Sequence, residues 1–439
     1  MGSDVVIFWF RSDLRVGDNL ALAEACASAA RLLLVYCHDP AADAPTRWGF
    51  ARRGPHRRAF VEAALDDLDA ALRARGSALL ELNGAPGEVL PALARAVGTD
   101  AVVCEAIAAP AEEDELAALR AAGLRVRTVW QSSLLDPAAL PFAPARLPKV
   151  FTAFRQAVES AGLQPPAPLP AAQTLPPWPD LATGAEAAHR LRACRCSYTV
   201  EQASFPWWRS DFAGGEGAAL AHLARYFASD RPQHYKATRN GLSGIDFSSK
   251  FSPWLAQGAL SPRVAFAALR RHEAAQGVSE GSYWLWFELL WRDYFRFLHL
   301  QHGRHLYRVR GLNAAAPPPA HDPAAFVAWC EGRTGHAFID AGMRELAATG
   351  WLSNRMRQVV ASYLIHDLGC DWRAGAAWFE AQLVDYDVYS NQGNWLYIAG
   401  RGTDPRGGRR FDPDRQAATY DADGAYRTRW AELDLRGDD

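Results

Sequence analysis

Lysine is nearly absent from this 439-residue chain: Lys149, Lys236 and Lys250 are its lysines, and the rest of the 47 basic side chains are arginine. Forty-nine acidic residues offset them to a net charge of −2. No global field therefore draws the chain to nucleic acid, although a local basic groove is compatible with that balance. Arginine and alanine richness agrees with a bias in base composition and decides no function. Cysteine is sparse too, with seven scattered along the sequence. An odd, dispersed set excludes a secreted disulfide scaffold and fits a reducing compartment. Cys194-Arg195-Cys196 lacks further paired ligands, so no metal centre is expected. Long apolar runs are missing: the six residues from Val5 to Phe10 precede Arg11, too few for a signal-peptide core or a membrane span. The expectation is a cytoplasmic protein with no membrane partner. Neither a GxGxxG fingerprint nor a phosphate-binding P-loop occurs, and no internal repeat is found.

What is present is ordinary globular material with one excess. Hydrophobic residues at 49% and charged residues at 22% exclude wholesale disorder. The length suggests about two or three domains and needs no disulfide staples. Tryptophan is abundant at sixteen, and the aromatics concentrate after residue 200.

Residues 1–130 alternate short apolar runs with amphipathic stretches. Strands are expected at Asp4–Phe10, Arg31–Tyr36, Ala78–Leu82, Ala101–Cys104 and Leu124–Val129, with helices between them. That alternation builds a parallel, Rossmann-like α/β sheet covered on both faces, with any ligand beyond the carboxyl ends of the strands. Residues 131–203 form a connector whose runs Gln164–Pro170 and Pro176–Pro179 exclude helix and central strand, because proline fixes φ and lacks an amide hydrogen. One helix is expected within it, over Lys149–Ser160. Residues 204–439 turn to a 3.6-residue period and read as an all-α domain, with helices at Glu216–Phe227, Pro262–Gln276, Ser282–His302, Pro323–Gly332, Ala341–Thr349, Asn354–Leu368 and Trp372–Leu383.

Four segments of the helical half carry chemistry. Ser248-Ser249-Lys250-Phe251-Ser252, ahead of a proline-led helix, offers hydroxyls, amides and a cation suited to a diphosphate; a serine-capped loop is the plainer reading. Glu288, Trp291 and Arg292 share one helical face, where a carboxylate beside an indole requires a partner. Asn354 and Arg357, one turn apart, could hydrogen-bond a flat polar ligand. Asp385, Asp387 and Asn391 lead to Gly393-Asn394-Trp395 and can equally be read as an N-cap and turn.

In order and spacing these segments resemble the cryptochrome/photolyase family, together with Arg11-Ser12-Asp13-Leu14-Arg15 and Asp18-Asn19 near the start. Tyr235–Gly241, Gln358, Tyr397 and Gly393-Asn394-Trp395 are similar to the cryptochrome-DASH branch. The resemblance spans about residues 4–430. It implies an all-α FAD-binding domain in which Tyr235, Ser248, Ser249, Lys250, Phe251 and Ser252 meet the diphosphate and ribityl part. Glu288, Asn354, Arg357, Asp385, Asp387 and Asn391 would surround the rest, with Asn391 near the flavin N5. It further implies light-driven repair of cyclobutane pyrimidine dimers in DNA, single strands preferred, by a monomer. Glu288, Trp291, Asn354 and Tyr397 would meet the lesion, Arg292, Arg401 and Arg406 its phosphates, and Trp395 and Trp372 would carry electrons.

Three departures qualify that picture. Pro319 stands where the family has a third tryptophan, so electrons would stop or use Trp329 or Trp378. Lys149 stands where the family often has an acid associated with a folate antenna (5,10-methenyltetrahydrofolate), which counts against that antenna. Gln392 replaces a common tyrosine beside Asn391. A blue-light receptor is the alternative within the family, but little more than twenty residues follow Asp414, and signalling members tend to carry long tails. A nucleotide-binding α/β protein with a helical interaction domain is the alternative outside it.

Overall fold

The structure is a computed structural model and describes residues 4–179 and 201–431; Cys194-Arg195-Cys196 lies outside the described residues. Five strands lie where the apolar runs place them: β1 (Val5–Phe10), β2 (Arg31–His38), β3 (Leu79–Asn83), β4 (Ala101–Glu105) and β5 (Arg125–Val129). They form one parallel sheet in the order β3-β2-β1-β4-β5. All six residues of β1 are buried, as a strand covered on both faces must be. The covering helices are α1 (Leu20–Ser28), α2 (Pro55–Arg73), α3 (Pro86–Ala96) and α4 (Pro110–Ala121). Asn19 starts α1 by accepting the Leu22 amide.

After β5 the connector carries one helix, α5 (Phe151–Ser160). Its proline-rich part follows the α/β domain. The Leu32 amide donates to the Pro177 carbonyl, the Leu175 amide to Arg75, and Trp178 Nε1 to Ser77. Prolines cannot extend the sheet themselves, but their carbonyls still accept its spare amides.

The second half is helical: α6 (Glu216–Phe227), α7 (Arg231–Thr238), α8 (Ser252–Gln257), α9 (Pro262–Gln276), α10 (Glu280–His302), α11 (Pro323–Cys330), α12 (Ala337–Thr349), α13 (Asn354–His366), α14 (Trp372–Gln382), α15 (Val388–Ile398), α16 (Pro413–Tyr420) and α17 (Ala425–Arg429). Three differences from the sequence expectation matter. Helix α10 begins two residues earlier, through a reciprocal Ser279/Ser282 capping box. Helix α12 begins at Ala337 rather than Ala341. The segment after Asp387, read as a cap and turn, is a cap followed by three turns of helix: Asp387 accepts the Ser390 amide and α15 runs on to Ile398.

The two halves are tied by buried polar contacts. Asp18 accepts Arg263 Nη2 at 2.7 Å, the Leu169 amide at 2.7 Å and the Ser261 hydroxyl. Asp293 of α10 accepts the Leu134 and Leu135 amides, each at 2.8 Å. Gly258, at φ +68°, lies so close that a Cβ there would stand 2.0 Å from the Ser12 carbonyl oxygen. None of the described helices is long and apolar enough to cross a membrane.

Candidate functional site

A cavity of about 450 Å³ opens among α7, α8, α10, α13 and the start of α15. Tyr235, Ser248, Ser249, Lys250, Phe251, Ser252, Glu288, Trp291, Arg292, Asn354, Arg357, Asp385, Asp387 and Tyr397 all line it. An adjoining cavity of about 80 Å³ shares Asn354, Arg357, Asp385 and Asp387 and adds Asn391 and Trp395. Side chains from positions 235 to 397 therefore meet in one continuous hollow.

The serine loop forms one wall under backbone strain. Ser248 and Lys250 sit at φ +62° and +57°, a left-handed conformation that costs a non-glycine residue about 1–2 kcal/mol. Such strain persists where the surroundings dictate it, often at ligand sites. The Ser248 hydroxyl accepts the Lys250 amide at 3.3 Å, and His222 meets the Ser249 carbonyl at 2.9 Å. The Lys250 ammonium is buried 3.7 Å above the Trp351 ring. Desolvation pushes it down to about 7, with Glu345 opposing.

Opposite, Arg357 Nη2 donates to Asp385 Oδ2 at 2.8 Å and its Nε to the Leu352 carbonyl at 3.0 Å. Asp385 Oδ1 is buried with no partner, as is Trp395 Nε1. Buried polar atoms are rarely left unpaired in a finished interior, so both mark places where a ligand completes the bonding. Asp387 is committed elsewhere, contrary to a role limited to cofactor contact: it pairs with Arg296 at 2.6 Å and caps α15, and the arginine holds its carboxyl well below the usual carboxylate range despite burial. Asn391 donates Nδ2 to the Ala376 carbonyl at 3.0 Å, which fixes its amide orientation and leaves its oxygen as an acceptor.

At the mouth, Glu288 pairs with Arg239 at 2.8 Å; burial pushes its carboxyl up while Arg239 pulls it back. The Trp291 ring lies flat on Phe151, with centroids 3.8 Å apart and planes 13° apart. Tyr397 Oη accepts Arg409 Nε at 2.8 Å. Asn354 is exposed at the first turn of α13, where Ser353 caps the helix. The sequence reading missed Arg239, Phe151 and Arg409. Arg239 lies one turn after Tyr235, inside a stretch already quoted, and that spacing was the available signal. Nothing in the sequence joins Phe151 to Trp291 or Arg409 to Tyr397.

The arginines expected at phosphates separate. Arg292 turns inward, donating to the Ser132 and Leu255 carbonyls, because its long side chain reaches the domain seam. Arg401 is buried and donates to the Pro317 carbonyl at 2.7 Å. Both guanidinium groups are committed to backbone carbonyls of the protein itself. Arg406 is exposed, pairs with Asp404 at 2.9 Å, and lines a small cavity of about 70 Å³ behind Trp291 and Tyr397. Lys149 lines that same cavity. Trp372 lies outside both main cavities, its indole donating to the Val309 carbonyl at 3.2 Å.

A separate cavity of about 180 Å³ lies between the domains, lined by Arg11, Glu105, Arg53, Arg57, Arg296 and Tyr389 among others. It sits where strand order reverses between β1 and β4, the crevice that open α/β sheets offer to ligands. Both Glu105 carboxyl oxygens are buried there without partners, and desolvation pushes the group up to about 8.

A flavin dinucleotide fits the main hollow's donor set. A buried ammonium and strained serine loop suit a diphosphate, and an ion pair with an orphan oxygen suits a flat ring bearing donors and acceptors. Comparison with known proteins agrees. Residues 6–173 match DNA photolyase, and residues 284–434 match the FAD binding domain of DNA photolyase. The chain is 43% identical over 438 residues to the Cryptochrome DASH of Gloeobacter violaceus, covering 98% of this chain and 86% of that protein. Among solved structures, a cryptochrome from Synechocystis sp. superposes with a TM-score of 0.91 at 39% identity, covering 98% of this chain and 89% of that one. A bacterial class III photolyase from Agrobacterium tumefaciens superposes at 0.80 with 29% identity, covering 98% and 87%. With a parallel sheet, a helical hollow and near full-length similarity in agreement, the chain belongs to the cryptochrome/photolyase family, in its cryptochrome-DASH branch, and its cofactor is FAD.

Proposed function

We propose that this protein repairs cyclobutane pyrimidine dimers in DNA by light-driven electron transfer, prefers single strands, and works as a cytoplasmic monomer. The observation that supports this best is the layout of one hollow. Lys250, Arg357 and Asp385 hold its inner part, while Glu288, Trp291, Asn354 and Tyr397 stand together in its wall. Cofactor groups and groups suited to bases thus share one cavity.

Held by Lys250, the serine loop, Arg357 and Asp385, FAD would supply light-driven one-electron chemistry toward the dimer. The chain's task is to bind and position. Lys250 and the serine loop take the diphosphate. Arg357 and Asp385 would orient the ring system, and Asn391 would offer its amide oxygen. Trp291, stiffened by Phe151, gives a flat face on which a flipped base can stack, worth about 1–3 kcal/mol per base. Glu288, whose carboxyl is held up by burial, donates or accepts at a base edge while Arg239 limits its swing. Flipping costs least where the lesion already lies in a single strand, which favours that substrate.

The test is dimer removal under blue light, measured chromatographically on oligo(dT) carrying dimers, single-stranded and annealed. Loss of dimers, faster in single strands and reduced by Glu288→Gln, is expected. A flavin-loaded protein that removes none from either form would overturn the repair reading in favour of a light receptor.

A further inference from the structure

A further open groove, of about 840 Å³, is bordered by residues of the stretch 305–312 together with Pro318 and Arg373. None of the residues lining it lines the flavin hollow or the cavity adjoining that hollow. Turns hold the stretch in place. The Gly311 amide donates to the Arg308 carbonyl and the Leu312 amide to the Arg401 carbonyl, each at 2.8 Å. Four guanidinium groups gather here: Arg308, Arg310 and Arg373 line the groove, and Arg401 is buried against Leu312.

The charge of this cluster is unbalanced. Asp371 is its acid among the described residues, and that carboxylate is committed: it accepts Arg373 Nη2 at 2.6 Å and caps α14 through the Arg373 amide. Arg308 has no acidic partner among the described residues, and Arg310 reaches only the Ala314 carbonyl, at 3.3 Å. Arg401 spends Nη2 on the Pro317 carbonyl, while its Nη1 is buried with no partner. Burial pushes the Arg401 guanidinium down; Asp371 opposes that shift, and Arg373 and Arg310 add to it. A buried, half-bonded cation among like charges is costly until an anion completes it.

We propose that this groove binds the phosphate groups of nucleotides, free or in a strand, with Arg308 and Arg310 on the phosphate oxygens and Arg401 and Arg373 strengthening the positive field around them. Guanidinium forks match phosphate in shape, and a phosphate turns its oxygens in several directions, so it serves converging forks better than a carboxylate does. The groove also has an apolar side. Val309 is 38% exposed and Pro318 stands in the same lining, which gives the organic part of the ligand a surface to lie on. The site is independent of the repair reading, because it shares no residue with the hollow where that chemistry is placed.

The test is calorimetric titration of the FAD-loaded protein in the dark and at low salt, so that the hollow is filled and screening is weak. One arm uses ATP and the other undamaged single-stranded oligo(dT). The double variant Arg308→Ala/Arg310→Ala removes two exposed side chains and leaves the fold intact. Saturable binding by the parent, weakened about tenfold or more in that variant, is expected. The control Arg125→Ala/Arg127→Ala removes the same charge from exposed positions on β5 and should stay within about twofold of the parent. Loss confined to the ATP arm identifies a free nucleotide; loss in the oligo(dT) arm, with a shallower salt dependence, identifies a strand, and either upholds the site. Absence of saturable binding in both arms overturns the proposal, as does equal binding by parent and groove variant or an equal loss in the control.

Discussion

Arg357 and Asp385 meet at 2.8 Å in the cavity wall, and the pairing leaves the second Asp385 oxygen buried and unbonded. A ligand donor is needed to finish that carboxylate. Asp385→Asn keeps the shape but strips the charge from both the ligand and Arg357. Losing a hydrogen bond to a charged group costs about 1.5–3 kcal/mol, roughly ten- to a hundredfold in affinity. Titration of the apoprotein with FAD, followed by flavin fluorescence, should show that weakening. Undiminished affinity would mean the cofactor does not use this pair.

Lys250 ties cofactor retention to pH. Desolvation by burial pushes its ammonium down to about 7, below the usual lysine value of 10.5. The unfolded chain therefore binds more protons between about pH 7 and pH 10.5, so stability of the FAD-free protein rises with pH across that window. Affinity for the anionic diphosphate moves the opposite way, because the proton must be replaced before the cation can act. FAD titrations at pH 6.5 and 9 should differ by about tenfold or more, tighter at the lower pH. Lys250→Met should flatten both trends; a dependence that survives it would place the titrating group elsewhere.

Phe151 should govern the orientation of Trp291 as well as stability. Truncating a buried phenylalanine costs about 3–5 kcal/mol, and here it would also free the one ring lying flat on Trp291. Urea unfolding of Phe151→Ala should show that loss. Phe151→Tyr, which keeps the ring, should bind dimer-containing oligonucleotide far better than Phe151→Leu of comparable stability. Equal binding by the two would remove Phe151 from any positioning role.

Gly375→Ala tests the packing around Trp395. Its Cβ would overlap the indole, and overpacking costs about 1–3 kcal/mol. The indole must shift toward the hollow, so flavin content on purification should fall along with the melting temperature. A variant of normal stability that still fails to hold flavin would show that Trp395 position, not fold integrity, controls loading.

Much of this architecture is legible in the sequence. The five strands read cleanly because buried parallel strands are nearly continuous apolar runs. Helix α15 was less visible: Ser390, Asn391, Gln392 and Asn394 give it little apolar periodicity, and it is held by Asp387 and by packing against α10 and α14. Most expected cofactor residues do face one hollow, since their segments were distinctive in order and spacing. The errors came from long side chains. Arg292 shares a helical face with Glu288, but a guanidinium can reach backward, and the carbonyls of Ser132 and Leu255 lie 160 and 37 positions away in sequence.

The buried carboxylate of Asp18 has a practical consequence for anyone dissecting this protein. Among the described residues it is the acidic partner of Arg263, a guanidinium on α9. Expressing the carboxy-terminal half alone would remove that carboxylate and expose the seam in which Arg263 now lies buried. The dye-binding half is therefore not a portable cassette: one of its buried cations is paired by a residue lying before the first helix of the chain.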